Sequence, residues 1–231
     1  MKAVILAGGK GTRLYPITYE IPKPLLPIKK KPIINYLVDL FLGAGVEEIE
    51  VLISQDFEDD FIWWKKRYYS TENINFFKEK TPLGTLGGLH YLKERIGGDS
   101  FFLTNGDELK KIDLKEMEAF HNKRGKLATI ALVENENPQN YGVAVCNDWR
   151  IERFLEKPKN PPSKYINSGI YLFSSEIFKY HPGLKYSMIE KDLFPRLAEE
   201  GELAGFKFQG AWTDCGTWVS YENSIKNWKL D

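Results

Sequence analysis

MKAVILAGGKGTRLYPITYEIPKPLLP, residues 1–27, is the stretch whose reading decides the fold. Residues 3–7 (AVILA) form the short apolar run expected of a strand buried on both faces, and Gly8, Gly9 and Gly11 follow it directly. Glycines crowded into one turn cost backbone entropy, so they need a physical reason. Glycine lets backbone N–H groups approach an anion closely and adopt positive φ, and Lys10, Arg13 and Lys23 bring compensating charge. A triphosphate suits such a place. The order is neither GxxxxGK[ST] nor GxGxxG, and a plain turn would need neither Thr12-Arg13 nor Pro22-Lys23-Pro24.

Outward from this stretch the chain alternates strand and helix. Residues 32–42 (PIINYLVDLFL) read as a helix with proline in its first turn and Gly43 and Gly45 at its end. Residues 48–54 (EIEVLIS) read as the second strand of a βαβ unit. The aromatic stretch 57–69 has helical spacing and interleaved charge, which favours a packed surface helix over a ligand platform. Residues 73–77 form a third strand, leading to a second glycine-rich turn at Gly84, Gly87 and Gly88 and a helix over 86–96. Two such turns after strands belong at the carboxyl end of a mainly parallel sheet, where ligands bind in open α/β folds. Residues 100–105 (SFFLTN) deliver Gly106-Asp107 to the same edge, and a carboxylate there beside a phosphate site is a good magnesium ligand. Asp113 reads as a helix cap, and His121 as a structural or surface residue.

The second half alternates further. Strands are expected over 127–132, 141–145, 149–154, 164–173 and 205–210. Residues 190–200 read as an amphipathic helix with Leu193, Phe194 and Leu197 inward, and residues 217–230 as a helix whose Trp218, Tyr221, Ile225 and Trp228 return to the sheet.

Composition narrows the function. Lys plus Arg and Asp plus Glu number 32 each among 231 residues, so no net field favours nucleic acid or an anionic membrane. Two cysteines are too few for a disulfide scaffold, no Cys/His spacing matches zinc, and no apolar run approaches a membrane span. The chain reads as unexported and cytoplasmic, with a homo-oligomer left open.

Residues 6–28, LAGGKGTRLYPITYEIPKPLLPI, resemble the signature of the sugar-1-phosphate nucleotidylyltransferases, GGxGTRLxPxTxxxPKPxxP, with every fixed position filled. The resemblance continues through Gly106-Asp107, Tyr141-Gly142, Glu156-Lys157-Pro158, Asn167-Ser168-Gly169 and Trp212-Thr213-Asp214-Cys215-Gly216-Thr217. It implies one α/β domain over residues 1–231, a Rossmann-like three-layer nucleotidyltransferase fold with a mixed, mainly parallel central sheet. The nucleotide-binding part would span about 1–125 and the sugar-binding part about 126–231. The residues it implies on the nucleotide are Leu6, Ala7, Gly8, Gly9, Gly11, Thr12, Glu79, Gly84 and Thr85. Arg13, Lys23 and Lys157 would be catalytic, Gly142, Glu156 and Asn167 would line the sugar, and Asp107 and Asp214 would hold Mg2+. The reaction implied joins an NTP and a sugar 1-phosphate into an NDP-sugar with release of pyrophosphate.

Glu79 bears on the base. An ionised carboxylate only accepts, and guanine offers adjacent N1–H and N2–H donors, so Glu79 complements guanine where glutamine would suit uracil, thymine or adenine. EKTPLGTLGG, residues 79–88, also resembles the form found in GDP-sugar pyrophosphorylases, which favours GTP. Mannose 1-phosphate is the favoured partner; a heptose 1-phosphate with GTP and glucose 1-phosphate with dTTP or UTP are the alternatives. A catalytically silent regulatory subunit is the alternative of another class, and it would predict losses among Arg13, Lys23, Asp107 and Asp214, all of which are present.

Overall fold

The computed structural model describes residues 1–230. Contacts divide the chain into two units that interleave along the sequence. Met1–Pro82, Thr104–Lys111 and the stretch from Ala211 onward form the first; Leu83–Leu103 and Ile112–Gly210 form the second.

In the first unit the strands Lys2–Ala7, Glu48–Ser54 and Ile74–Glu79 run parallel. Ala7 pairs with Ile53 and Ser54 with Glu79, so the three carboxyl ends finish together. Parallel neighbours need crossovers, which the helices Ile33–Gly43 and Glu58–Tyr68 supply. Ile33, Ile34, Leu37, Val38 and Phe41 repeat at helical spacing and are buried. The second helix buries only Phe61 and Trp64, and the Trp64 indole N–H donates to Asn35 Oδ1 at 2.7 Å. Its Trp63 is exposed, as a packed surface helix predicts.

Below the glycine turn, Leu14, Leu26, Ile28, Ile33, Leu109, Cys215, Tyr221 and Trp228 form one buried cluster. The proline-rich segment thus puts Leu26 into this core. The C-terminal helix Trp218–Asn227, capped by the Thr217 hydroxyl on Ser220 N–H, buries Tyr221 and Ser224. Trp218 and Ile225 are exposed, which corrects the expectation that they pack inward. The two are seven apart and share a stripe that lies roughly 80° round the helix from the stripe of 221, 224 and 228, at its solvent edge.

The second unit is a mixed sheet. Leu203–Lys207 runs parallel to Ala128–Glu134, whereas Tyr165–Phe173, Arg150–Glu156 and Gly142–Asn147 pair antiparallel with their neighbours. Phe154, Tyr171, Phe173 and Phe194 interlock at its core, with ring centroids 5.0 Å apart for Phe154–Phe194 and 5.2 Å for Tyr171–Phe194. Asp113 caps the helix Leu114–Arg124 through Lys115 and Glu116 N–H, and His121 is buried against Thr129 Oγ1 at 2.8 Å, a structural histidine.

Two expected helices are broken. Residues 84–96 fold as Gly84–Gly87, a 3-10 segment Gly88–Leu92 and Lys93–Ile96, because each interior glycine weakens a helix by about 1 kcal/mol. The other begins with a π-helical turn, Ile189–Leu193, before Phe194–Glu199. Pro195 has no N–H to give, so the regular ladder cannot run through that point.

Candidate active site

The glycine turn divides its labour. Gly11 alone has φ in the left-handed region, at 61°, and a side chain there would press on Thr18 Cγ2 at 3.0 Å. Its carbonyl accepts from Leu14 N–H at 2.8 Å and Thr18 Oγ1 at 2.9 Å, which closes the loop. Gly8 has a different task. A Cβ on it would meet Glu79 Oε2 at 2.6 Å, so the first glycine makes room for the carboxylate ending the third strand. At Gly9 nothing lies within 4 Å of that position, and Gly9, Lys10, Thr12 and Arg13 are exposed. The turn therefore offers an open backbone and two cations to an anion, with Leu6 and Ala7 as the strand beneath.

Asp107 and Asp214 are brought into one place. Gly106 N–H donates to Leu6 O at 2.9 Å, which anchors the turn bearing Asp107 to the first strand. Glu108–Lys110 and Trp212–Asp214 pair antiparallel, Asp214 opposite Glu108, and Cys215 N–H donates to Asp107 O at 3.1 Å. Two aspartates over a hundred residues apart are thereby fixed by one small ladder. Gly216 N–H donates to Asp214 Oδ1 at 2.7 Å, and the Asp214 carboxylate and Arg13 Nη2 both lie close about Gly216.

Charge organises this cluster. Burial alone would raise the Asp107 carboxyl; the buried Lys23 ammonium, paired with it by charge and hydrogen bond and backed by Lys110 and Arg13, holds it below the usual carboxylate range. Asp214 is raised, first by burial and then by the negative charge of Asp107, with Lys23, Gly216 N–H and Arg13 opposing. Like charges forced together invite a cation. Among the described residues no group of three or more His, Cys, Asp or Glu is placed to hold a metal. Two carboxylates nonetheless fit magnesium, which completes its shell with phosphate and water.

Beneath the aspartates lies a network that the sequence did not single out. Glu108 and Lys110 alternate with Leu109, so both acids and bases point to one side while Leu109 enters the core. Lys110 Nζ lies 3.4 Å from Glu108 Oε2 and 3.1 Å from Thr104 Oγ1, Trp212 Nε1–H donates to Glu108 at 3.0 Å, and Asn105 Nδ2 donates at 3.0 Å. Burial raises the Glu108 carboxyl and lowers the Lys110 ammonium. The signal in the sequence was the i, i+2 charge alternation in Asp107-Glu-Leu-Lys.

Cys215 is inert. Burial pushes its thiol up to about 12.

The second unit gathers Gly142, Glu156, Lys157 and Asn167. Gly142 pairs with Glu156 across the hairpin, and its Cα leaves the Glu156 carboxylate 3.1 Å from where a Cβ would stand. Lys157 Nζ lies 3.5 Å from Glu156 Oε1. Its backbone is held at φ 49° before Pro158, with N–H on Tyr141 O at 3.1 Å. A left-handed lysine ahead of proline stores strain, and such strain gathers at functional sites. Lys157→Ala and Lys157→Gly are both expected to lose activity, while Lys157→Gly should be the more stable by about 1 kcal/mol in urea unfolding. Equal stabilities would show the backbone to be unstrained.

Asn167 begins a bulge in its strand, where its Oδ1 accepts from Gly169 N–H and its Nδ2 donates to Tyr171, both at 2.9 Å. Ser168 donates to Ala131 O at 2.8 Å. Gly84 has φ 78° and lies against Ser187 O. Thr85 gives its hydroxyl hydrogen to Glu190 Oε2 at 3.0 Å and accepts from Ile189 N–H at 2.9 Å. Glu190, which opens the stretch read from sequence as an amphipathic helix, is thus tied to Thr85.

The parallel strands with their aligned carboxyl ends, the open glycine turn and the paired aspartates define a Rossmann-like nucleotidyltransferase. The chain belongs to the nucleotidyl transferase family, whose model matches residues 2–229. It is 38% identical over 225 residues to the mannose-1-phosphate guanylyltransferase catalytic subunit beta of Xenopus tropicalis, a match covering 94% of this chain and 61% of that protein. The chain therefore spans about three fifths of the curated relatives it matches. A Bacillus anthracis structure described as a glucose-1-phosphate thymidylyltransferase, in complex with a sucrose, superposes with TM-score 0.91 at 27% identity, covering 100% of this chain and 97% of that one. HddC from Yersinia pseudotuberculosis, complexed with GMP-PN, gives 0.83 at 28% identity, with 99% of both chains covered.

Proposed function

We propose that this chain transfers a nucleotidyl group from an NTP to a sugar 1-phosphate, releasing pyrophosphate, with GTP and mannose 1-phosphate the favoured pair. The observation that carries the reading is the gathering of Lys23, Asp107, Asp214 and Arg13 at one place, where opposite charges are arranged about two carboxylates.

The chemistry asks for positioning and charge neutralisation rather than a covalent enzyme intermediate. An oxygen of the sugar phosphate attacks the α-phosphorus in line, a new P–O bond forms, and the bond to the pyrophosphate oxygen breaks. Arg13 would stabilise the negative charge on the departing pyrophosphate. Lys23 gives one of its three donors to Asp107 and keeps two for a phosphate. Lys157 would hold the sugar phosphate as a point charge, with Glu156 and the Gly142 backbone beside the sugar. Magnesium, held by Asp107 and Asp214, would supply further neutralisation at the α-phosphate.

Guanine is favoured by Glu79. Its carboxylate sits beside Gly8 in the nucleotide turn, and a bidentate acceptor there matches the N1–H and N2–H edge. No helix among the described residues is long and apolar enough to cross a membrane. A cytoplasmic setting, where nucleoside triphosphates abound and Cys146 and Cys215 stay free, accords with this reading.

The test is a pyrophosphate-release screen of the four common NTPs and dTTP against mannose, glucose and heptose 1-phosphates with magnesium. GTP with mannose 1-phosphate is expected to give the highest kcat/KM. A preference for dTTP or UTP with glucose 1-phosphate would move the base and sugar to the alternative that the Bacillus anthracis likeness favours. No release from any pair would favour a silent sugar-nucleotide-binding subunit.

A further inference from the structure

Ser224 is 1% exposed, on the inner face of the helix Trp218–Asn227 and against the apolar cluster that holds Cys215 and Tyr221. A hydroxyl buried there is costly unless its hydrogen bonds are made, and they are. Ser224 Oγ donates to Ser220 O at 2.8 Å, one turn back along the helix. With its one hydrogen so placed, it accepts from Thr213 Oγ1 at 2.8 Å and from Cys215 Sγ at 3.6 Å. One hydroxyl therefore holds both chain neighbours of Asp214. Side chains alternate along an extended segment, so Asp214, between two residues that face the helix, is turned the other way. There it meets Arg13 about Gly216 and the charge of Asp107. Trp212, two residues earlier, also leaves the helix and donates to Glu108.

We propose that Ser224 is a positioning residue for the metal carboxylate: through Thr213 and Cys215 it fixes the backbone on which Asp214 stands, and thereby the span between Asp214 and Asp107. The assignment rests on the reaction proposed above and deepens it. A magnesium shell is close to octahedral, with oxygens at about 2.0–2.1 Å, so a carboxylate displaced by a few tenths of an ångström ligates less well. The ladder to Glu108 and the bond from Cys215 N–H to Asp107 O set the separation of the two backbones. What they leave open is rotation of the Asp214 segment about its own axis, and the bonds from Thr213 and Cys215 to one buried oxygen resist that rotation because hydrogen bonds are directional. Stability alone does not ask for this arrangement. Alanine at 224 with valine at 213 would keep nearly the same shapes and leave that pair no polar group to satisfy.

The experiment titrates Mn2+, as a paramagnetic stand-in for magnesium, against the chain with GTP present and reads the metal held by the complex from water-proton relaxation. It compares the wild-type chain with Thr213→Ser, Thr213→Val, Ser224→Ala and the double variant Thr213→Val/Ser224→Ala, with urea unfolding and steady-state kinetics alongside. Thr213→Val and Ser224→Ala should each weaken Mn2+ binding about 10-fold, the low end for a group that orients a metal ligand, while the KM for the sugar 1-phosphate stays within about twofold. The magnesium concentration giving half-maximal pyrophosphate release should rise to match. Thr213→Ser, which keeps the hydroxyl and loses the methyl, should bind Mn2+ as the wild type does. The double variant should regain stability in urea, because both partners of the bond are gone, yet hold Mn2+ no better than the single variants. Thr213→Ser as weak as Thr213→Val, or wild-type Mn2+ affinity in the double variant, overturns this assignment alone. Should Ser224→Ala fail to fold, the two variants at the half-buried Thr213 decide. A wild-type chain that holds no Mn2+ and releases no pyrophosphate from any pair overturns the proposed reaction and this assignment with it.

Discussion

Asp107→Asn is expected to lower kcat roughly 100- to 1,000-fold, the usual consequence of removing one preorganised electrostatic group from a phosphoryl or acyl transfer site. The structure explains why an isostere should fail. Lys23, with Lys110 and Arg13 behind it, overrides the burial that would neutralise Asp107, so the carboxylate stays ionised and able to ligate a hard cation. Asparagine removes that charge and leaves Lys23, 6% exposed, without its counter-ion. Unfolding free energy should fall too, by roughly 1.5–3 kcal/mol, the range for a hydrogen bond to a charged group. Against a typical total of 5–15 kcal/mol the variant remains folded. Pyrophosphate release together with circular dichroism separates the two effects, and turnover within about threefold of wild type would remove Asp107 from the mechanism.

Lys110→Met should cost roughly 3–5 kcal/mol of stability, since breaking a buried pair strands the remaining charge. Glu108 would keep the Trp212 and Asn105 donors but lose the ammonium beside them. Adding Glu108→Gln to Lys110→Met should restore a large part of the loss, because a neutral amide needs no counter-charge and its carbonyl still accepts from Trp212. Urea unfolding of the single and double variants measures the coupling. Losses that simply add would show the two side chains to act independently. The network also bears on activity, since the ladder it clasps carries both aspartates.

Much of this was legible in the sequence. The run AVILA followed by glycines placed the first strand and its turn, and apolar periodicity placed the helix Ile33–Gly43. Asp107 reads as a candidate ligand because it follows an apolar strand at a glycine, but the family resemblance was needed to name it and Asp214 together, and only the ladder explains how they meet. The reason for each glycine was less accessible. Gly9 stands open, as anion approach would require, whereas Gly8 is small because Glu79 lies against it, a contact across strands that no local pattern encodes. Local pattern likewise missed the π-helical turn at Ile189–Leu193. Leu193, Phe194 and Leu197 are inward as their spacing predicts, but the proline at 195 changes the backbone just where Glu190 sits. Lys157 shows the same limit, since its left-handed conformation, with its N–H on the Tyr141 carbonyl, runs against its own propensity.

The proposed reaction joins GTP and a sugar 1-phosphate at the Asp107–Asp214 centre. Phosphorus NMR of the wild-type chain with GTP, mannose 1-phosphate and magnesium tests it directly. A GDP-sugar and pyrophosphate are expected in equal amounts, and neither should form when magnesium is chelated. Conversion of GTP to GDP and inorganic phosphate, or no consumption of the sugar 1-phosphate, would contradict it.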